Sequence, residues 1–421
     1  MDMDYPTLSL RERDLRWAQT RAFMKERGLD CLIVAGLRGS YQNRYDIYLA
    51  YEEAVGALIF PLEDEPTYLA WNGSYIGRHV TNIKRGFACW VKDWRIGTKG
   101  ESWVRLLKER GFESATIGVV GVDSRGPMEP EGIVPYQTWV SVQKGLPKAT
   151  FVHVSYPFAE MISGPKSEES IAMYRHCAQI SEKVCGLVID MLKPGVREND
   201  IYAEMMATIF RHGAAADIGP LFRIAQNSES VSNAPPSWLI QGQPPYIVQR
   251  GDVLFSEIFI IYAGLETQTQ LCVAVDPVSR QTRECAKVAR DTYEAGLNAL
   301  RPGKTFGEVA DAMEKVVADA GCWHMGPLVH SLNPHTNTIP GNVGANAWGQ
   351  AHGVKWPMDM VGPYLARVSD AKSIIKPWTC FVLEPNACKG DVRVNLGGCV
   401  LVTENGVEEV NKLATELHVV Y

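Results

Sequence analysis

Four short stretches place ionisable or amide side chains in apolar surroundings, where a charge costs energy unless it is paired or does chemistry. The first is Gly251-Asp252-Val253-Leu254-Phe255-Ser256-Glu257, then Tyr262-Ala263-Gly264-Leu265-Glu266-Thr267-Gln268-Thr269-Gln270. The second is Ala351-His352-Gly353-Val354 and the third Phe381-Val382-Leu383-Glu384-Pro385. The fourth is Arg393-Val394-Asn395 with Leu401-Val402-Thr403-Glu404-Asn405-Gly406. An imidazole and two carboxyl groups are the parts of an acid–base site. A histidine of ordinary pKa, about 6.5, suits proton transfer near neutrality. Of two carboxyls in a low-dielectric cleft, one stays ionised while the other is pushed up in pKa and shuttles a proton. His352, Glu384 and Glu257 are therefore the catalytic candidates. Each has a plainer reading. Glu384 could pair with Arg393, His352 could be satisfied by backbone in a core, and a slip of one residue would turn Glu257 to the other face.

The elements that must position these residues follow from turn and cap signals. The first stretch reads as a β-hairpin with Ala263-Gly264 near its turn. Ser167 before Glu168-Glu169 starts a helix that runs to about Leu192 and stops at Pro194-Gly195; a second helix spans about Glu198–Arg211. The same order returns later, with helices at about Gln281–Leu300 and Thr305–Asp319 and a stop at Pro302-Gly303. The two stops lie 108 residues apart (302 − 194 = 108). Helix, stop, helix, strands, twice over, predicts an internal duplication: two α/β halves about a pseudo-two-fold axis, with the site between them. Pro327–Trp348 holds His330, His335 and four Asn with little apolar periodicity, and reads as a long functional loop. His330 is a candidate substrate contact there, and Trp356 is another, beside His352. Before all this, strands at 29–35, 56–60, 67–70, 115–122 and 150–154 alternate with helices, the first capped by Ser9. The expected domains are 1–157, a smaller α/β domain, and 158–421, a duplicated catalytic domain.

Composition narrows the function classes. The 421 residues are 46% hydrophobic and 21% charged, enough for a globular core. A net charge of −6, evenly spread and without a Lys/Arg block, argues against nucleic acid or an anionic membrane as partner. No apolar run approaches the roughly 18 residues of a membrane span. The start, Met1-Asp2-Met3-Asp4-Tyr5-Pro6, has no apolar signal region, so a cytoplasmic location is expected. The ten Cys are scattered and form no Cys-x-x-Cys pair, so they read as buried hydrophobes rather than a metal or redox motif.

In their order and spacing, the Gly-Asp hairpin, the His-Gly segment, the Leu-Glu-Pro strand end and the Leu-Val-Thr-Glu-Asn-Gly ending resemble the creatinase/prolidase/aminopeptidase P superfamily of pita-bread fold. His352 and Glu384 lie 32 residues apart (384 − 352 = 32). The resemblance covers about 161–421 and implies a pita-bread catalytic domain behind a creatinase-type N-terminal domain. Metal-dependent members hold two ions with Asp, Asp, His, Glu and Glu. Carried over by position, these become Glu257, Gln268, His352, Glu384 and one of Asn395, Leu396, Gly397 and Gly398. Two carboxylates are lost, and with them the charge that makes two cations tolerable. A second family histidine becomes Asp359, and one before the hairpin becomes Asn233. Creatinase works without metal, yet two of its residues fall on Asn233 and Gln270 here, so creatine is not the expected substrate. Asp359, Gln268, Gln270 and Asn233 are then substrate contacts. The expected protein is a cofactor-free, metal-independent hydrolase of a C–N bond in a small polar metabolite. Alternatives are a metal-dependent Xaa-Pro peptidase, a single-metal site of Glu257, His352 and Glu384, a lyase, or a non-catalytic binding protein. The resemblance also implies a homodimer in which the N-terminal domain closes the partner's site.

Overall fold

The structure, a computed structural model, describes residues 5–36, 44–123, 132–216, 236–334, 336, 351–353 and 371–421, and the backbone alone of 221–226 and Ile240. The chain divides into two compact units, 1–162 and 163–421.

The first unit contains α1 (Leu10–Glu26), β1 (Cys31–Ala35), α2 (Tyr45–Ala50), β2 (Ala57–Pro61), β3 (Thr67–Ala70) and α3 (Gly73–Lys84). It continues with β4 (Asp93–Ile96), α4 (Gly100–Glu109), β5 (Thr116–Val120), α5 (Tyr136–Gly145), β6 (Thr150–His153) and α6 (Ser155–Ser163). Its six strands form one sheet in the order β4-β3-β2-β1-β5-β6. Ser9 caps α1 by accepting from the Arg11 and Glu12 amides, as its residue type dictates. Buried Ile33, Ile59, Trp103, Leu107 and Val119 fill the space between sheet and helices. The five expected strands are present. β4 is an addition to them, because Asp93-Trp94-Arg95-Ile96 lacks the apolar run of its neighbours.

The second unit contains α7 (Glu168–Met191), α8 (Glu198–Arg211), β7 (Leu221–Gln226), α9 (Ser237–Gln241), β8 (Asp252–Tyr262) and β9 (Leu265–Val275). Then come α10 (Arg280–Ala299), α11 (Phe306–Asp319), β10 (Val329–Ser331), β11 (Cys380–Leu383) and β12 (Asn386–Lys389). β13 (Val392–Asn395), β14 (Gly398–Val402), β15 (Val407–Glu409) and β16 (His418–Val420) complete it. Sheets β16-β9-β8-β7 and β10-β11-β14-β15 each have four strands, and β12-β13 is a separate ribbon. This is the pita-bread arrangement of two α/β halves.

The duplication is visible in the backbone. Leu192 and Leu300 leave their helices in extended conformation, and Gly195 and Gly303 follow with φ of 90° and 86°. Their amides donate to Val248 and Ile375 carbonyls at 2.8 and 3.0 Å. Arg197 then bridges Ile247, and Thr305 bridges Ile374. The hairpin turns at Ala263 and Gly264, both with positive φ (53° and 81°), the two-residue form that matches strand twist. One expectation is corrected. Residues 329–331 are not loop: they form β10, with His330 opposite Val382 of β11 and buried. The segment's polarity hides a three-residue strand too short to show a period. Among the described residues no helix is long and apolar enough to cross a membrane.

Candidate active site

Strand alternation decides which side chains of the β8–β9 hairpin meet. Thr267 and Thr269 turn toward α7: Thr267 hydrogen-bonds Ser181 at 2.8 Å, and Thr269 lies 3.7 Å from the Cys185 thiol. Gln268 and Gln270 therefore turn the other way. Glu257 lies directly opposite Gln270 in register, and Phe259 opposite Gln268. The second sheet fixes β9 in place. The Gln270 amide donates to the Gly397 carbonyl at 2.8 Å, and the Gln268 amide reaches the Cys399 sulfur at 3.1 Å.

Glu384 stands at the end of β11, held by its own amide donating to the Leu328 carbonyl at 2.9 Å. Its carboxyl is buried. Gln268 Nε2 and Gln270 Nε2 both donate to Glu384 Oε2, at 2.8 and 2.6 Å. Asn395 Nδ2 donates in turn to Gln270 Oε1. The chain Asn395–Gln270–Glu384 thus has one direction, every amide giving a proton toward the carboxyl. The second oxygen, Oε1, lies 3.5 Å from His330 Nε2. His330 Nδ1 is 2.8 Å from the Ser331 carbonyl, which accepts only, so Nδ1 carries the hydrogen and Nε2 presents a lone pair to Glu384. Gln268 Oε1 is buried and has no hydrogen-bond partner among the described residues, leaving an acceptor for a ligand's N–H or O–H.

The electrostatics make this a neutral pair rather than an ion pair. Burial, and then the negative charge of Glu257, push Glu384 well above the usual carboxylate range; Arg393 and the two glutamine donors oppose them. Burial pulls His330 down to about 4, against its bond to the Ser331 carbonyl. Arg393 is itself buried and shares a face of β13 with Asn395. Its charge would steady Glu384 whenever the proton leaves.

Of the residues singled out in the sequence, the structure brings together Glu384, Gln268, Gln270 and His330, with Glu257 opposite Gln270. His352 is placed elsewhere. It is half-exposed, and its Nε2 lies 2.9 Å from Asp391 Oδ1, at the turn between β12 and β13. Asn395 sits at the other end of that ribbon, about three residues or roughly 10 Å along it. Asp359, Asn233 and Trp356, like His335, lie outside the described residues. The sequence offers Arg393 as a partner of Glu384 and Asn395 as one of four positions for a lost ligand, but gives neither a catalytic or substrate-contact role. Their alternation in Arg393-Val394-Asn395 next to the Leu-Val-Thr strand is the available signal.

With this geometry in hand, comparison with known proteins gives a consistent result. The model of metallopeptidase family M24 matches residues 172–404. A creatinase from a Bacillus species is 21% identical over 97% of this chain and 92% of its own length. An Xaa-Pro dipeptidase from Lactobacillus delbrueckii is 20% identical over 68% of this chain and 73% of its own. Among solved structures, a dipeptidase from Pyrococcus horikoshii superposes with a TM-score of 0.71 at 16% identity, covering 96% of this chain and all of that one. The family description implies metal, and the donors among the described residues do not fit a pair of ions. Two amides and a third behind them surround one buried carboxyl, and their N–H groups take the Oε2 lone pairs that a cation would need. Among the described residues Glu257, His330 and Glu384 do not converge as three ligands of one ion either.

Proposed function

Since the chain belongs to metallopeptidase family M24, we propose that it is a hydrolase that opens a C–N bond of a small polar metabolite, of amide or guanidino type, with its own side chains in place of two metal ions. Its similarity to a creatinase and to Xaa-Pro dipeptidases supports hydrolysis and a small-molecule substrate. The observation that carries the metal-independent reading is the glutamine clamp on Glu384 Oε2, with Oε1 facing His330.

Glu384, kept protonated by burial, is the general acid. Glu257, partly exposed on the neighbouring strand, is the base that takes a proton from water. The water oxygen bonds to the substrate carbon, the C–N bond breaks, and the leaving nitrogen takes the Glu384 proton. Arg393 and the two glutamine donors hold the carboxylate that results, and His330 Nε2 offers a path for the proton to return. Gln268 Oε1 accepts a hydrogen bond from the substrate's N–H and so orients it. Asp359, Asn233 and Trp356 remain proposed substrate contacts from the sequence.

A metal-dependent Xaa-Pro peptidase is the second reading, favoured by the names of two relatives. One experiment separates the two. Protein treated with a chelator is assayed against small amides, guanidino compounds and Xaa-Pro dipeptides, with and without added Mn²⁺, Co²⁺ or Zn²⁺. Turnover of an amide or guanidino compound that survives chelation supports our reading. Cleavage of Xaa-Pro dipeptides only after metal is restored sinks it.

A further inference from the structure

We propose that Glu52, His79 and Cys89, in the first unit, form a binding site for a divalent cation of the zinc class. Three segments meet there: Glu52 follows α2, His79 lies on α3, and Cys89 precedes β4. One carboxylate oxygen, one ring nitrogen and the thiol sulfur all lie within 4.8 Å of one another. Among the described residues no other group of three or more His, Cys, Asp or Glu side chains converges in this way.

The donor types are those zinc takes: oxygen, imidazole nitrogen and sulfur. The spacing is close to what a tetrahedral ion needs. His79 Nδ1 stands 2.8 Å from Glu52 Oε2. Two ligands each about 2.0–2.1 Å from such an ion lie about 3.3 Å apart, so this pair need open only by about half an ångström. Both partners are held from behind. His79 is buried and stacks on Trp94, with ring centroids 4.5 Å apart at 19°. The other Glu52 oxygen accepts from Asn82 Nδ2 at 3.0 Å. Contacts of this kind orient metal ligands and raise affinity.

Access and charge agree. Of ten cysteines only Cys89 and Cys322 are not fully buried, so an ion can reach Cys89. On binding, the thiol proton leaves to solvent and the sulfur–metal bond forms. One thiolate and one carboxylate then balance the two charges of the cation. Three protein ligands leave a fourth position for water. The site does not depend on the Glu384 cluster or on the proposed hydrolysis.

The test is a Co²⁺ titration of the full-length protein after chelator treatment and dialysis. We expect one Co²⁺ per chain, with the near-ultraviolet absorption of a thiolate–cobalt bond, bleached when Zn²⁺ displaces it. Cys89 is only half-buried, so Cys89→Ser should fold normally and abolish the band, while Cys322→Ser keeps it. Asn82→Ala should weaken binding by about 10- to 100-fold. Saturation without a thiolate band, or a band that persists in Cys89→Ser, overturns the proposal.

Discussion

Glu384 is an acid that the fold keeps from ionising, and its replacement by Gln makes that measurable. Burial first, and the Glu257 charge second, hold it protonated to a pH well above the 4.5 of an exposed glutamate. Between 4.5 and its folded pKa the native state binds more protons than the unfolded chain, so stability falls as pH rises through that window. A glutamine side chain at this position has the shape of the protonated acid without the proton. Glu384→Gln should therefore gain stability relative to wild type as pH rises, while kcat falls by about 10²–10⁴. Denaturant melts from about pH 5 to about pH 8 read the first effect, and parallel curves would refute it. His330 has the opposite sign. Its folded value of about 4 lies below that of a free imidazole, so stability is present above about 6.5 and lost as pH falls toward 4, by on the order of 3 kcal/mol in full. His330→Gln should flatten that acid limb and slow turnover. His352→Ala removes a solvent-exposed pair with Asp391, away from Glu384, and should leave both nearly unchanged. If His352→Ala abolishes turnover and His330→Gln does not, the histidine of the site has been misassigned.

At the scale of elements, the link between β9 and the β13–β14 junction sets the geometry. Gly397 has φ of 121°, and a Cβ there would stand 2.0 Å from the Leu383 carbonyl oxygen. Only glycine adopts this conformation without strain, and only it lets the chain pass close enough for the Gly397 carbonyl to accept from Gln270. Gly397→Ala should cost at least about 2–3 kcal/mol of stability, since strain and backbone clash add. It should also loosen the Gln270–Glu384 bond, so that the pH dependence of stability shifts toward that of a less buried carboxyl. Thermal melts across pH check both effects. An unchanged Tm would show that the junction yields without loss.

At the scale of the molecule, the expected assembly is a homodimer whose N-terminal unit completes the partner's site, a proposal that rests on the resemblance to the creatinase/prolidase superfamily. Light scattering should give about twice the chain's 46.7 kDa. A mass near 46.7 kDa at the concentrations where the enzyme turns over would remove it.

The sequence by itself determined the architecture, because its signals are local. Ser9, Ser167 and Thr305 cap helices where their hydroxyls can reach an amide, and Ala263-Gly264 turns a hairpin whose register needs no distant partner. Two helix stops 108 residues apart (302 − 194 = 108) carried the duplication. The sequence also picked out Glu384 and Glu257, since acids in apolar strands stand out against their neighbours, while Gln268 and Gln270 came from the resemblance to the creatinase/prolidase superfamily. What it did not determine was which of these groups touch. His352 looks like the natural partner of Glu384 in the sequence because the spacing of motifs along the chain says nothing of distance across a sheet. The tertiary structure put His330 there instead, by pairing the three-residue β10 with β11, and it gathered Glu52, His79 and Cys89 from three segments with no shared motif. It also decided the charge states. A carboxyl's pKa follows from burial and from neighbours far apart in the chain, such as Glu257 and Arg393 at Glu384, and those distances exist only once the two sheets have closed on each other.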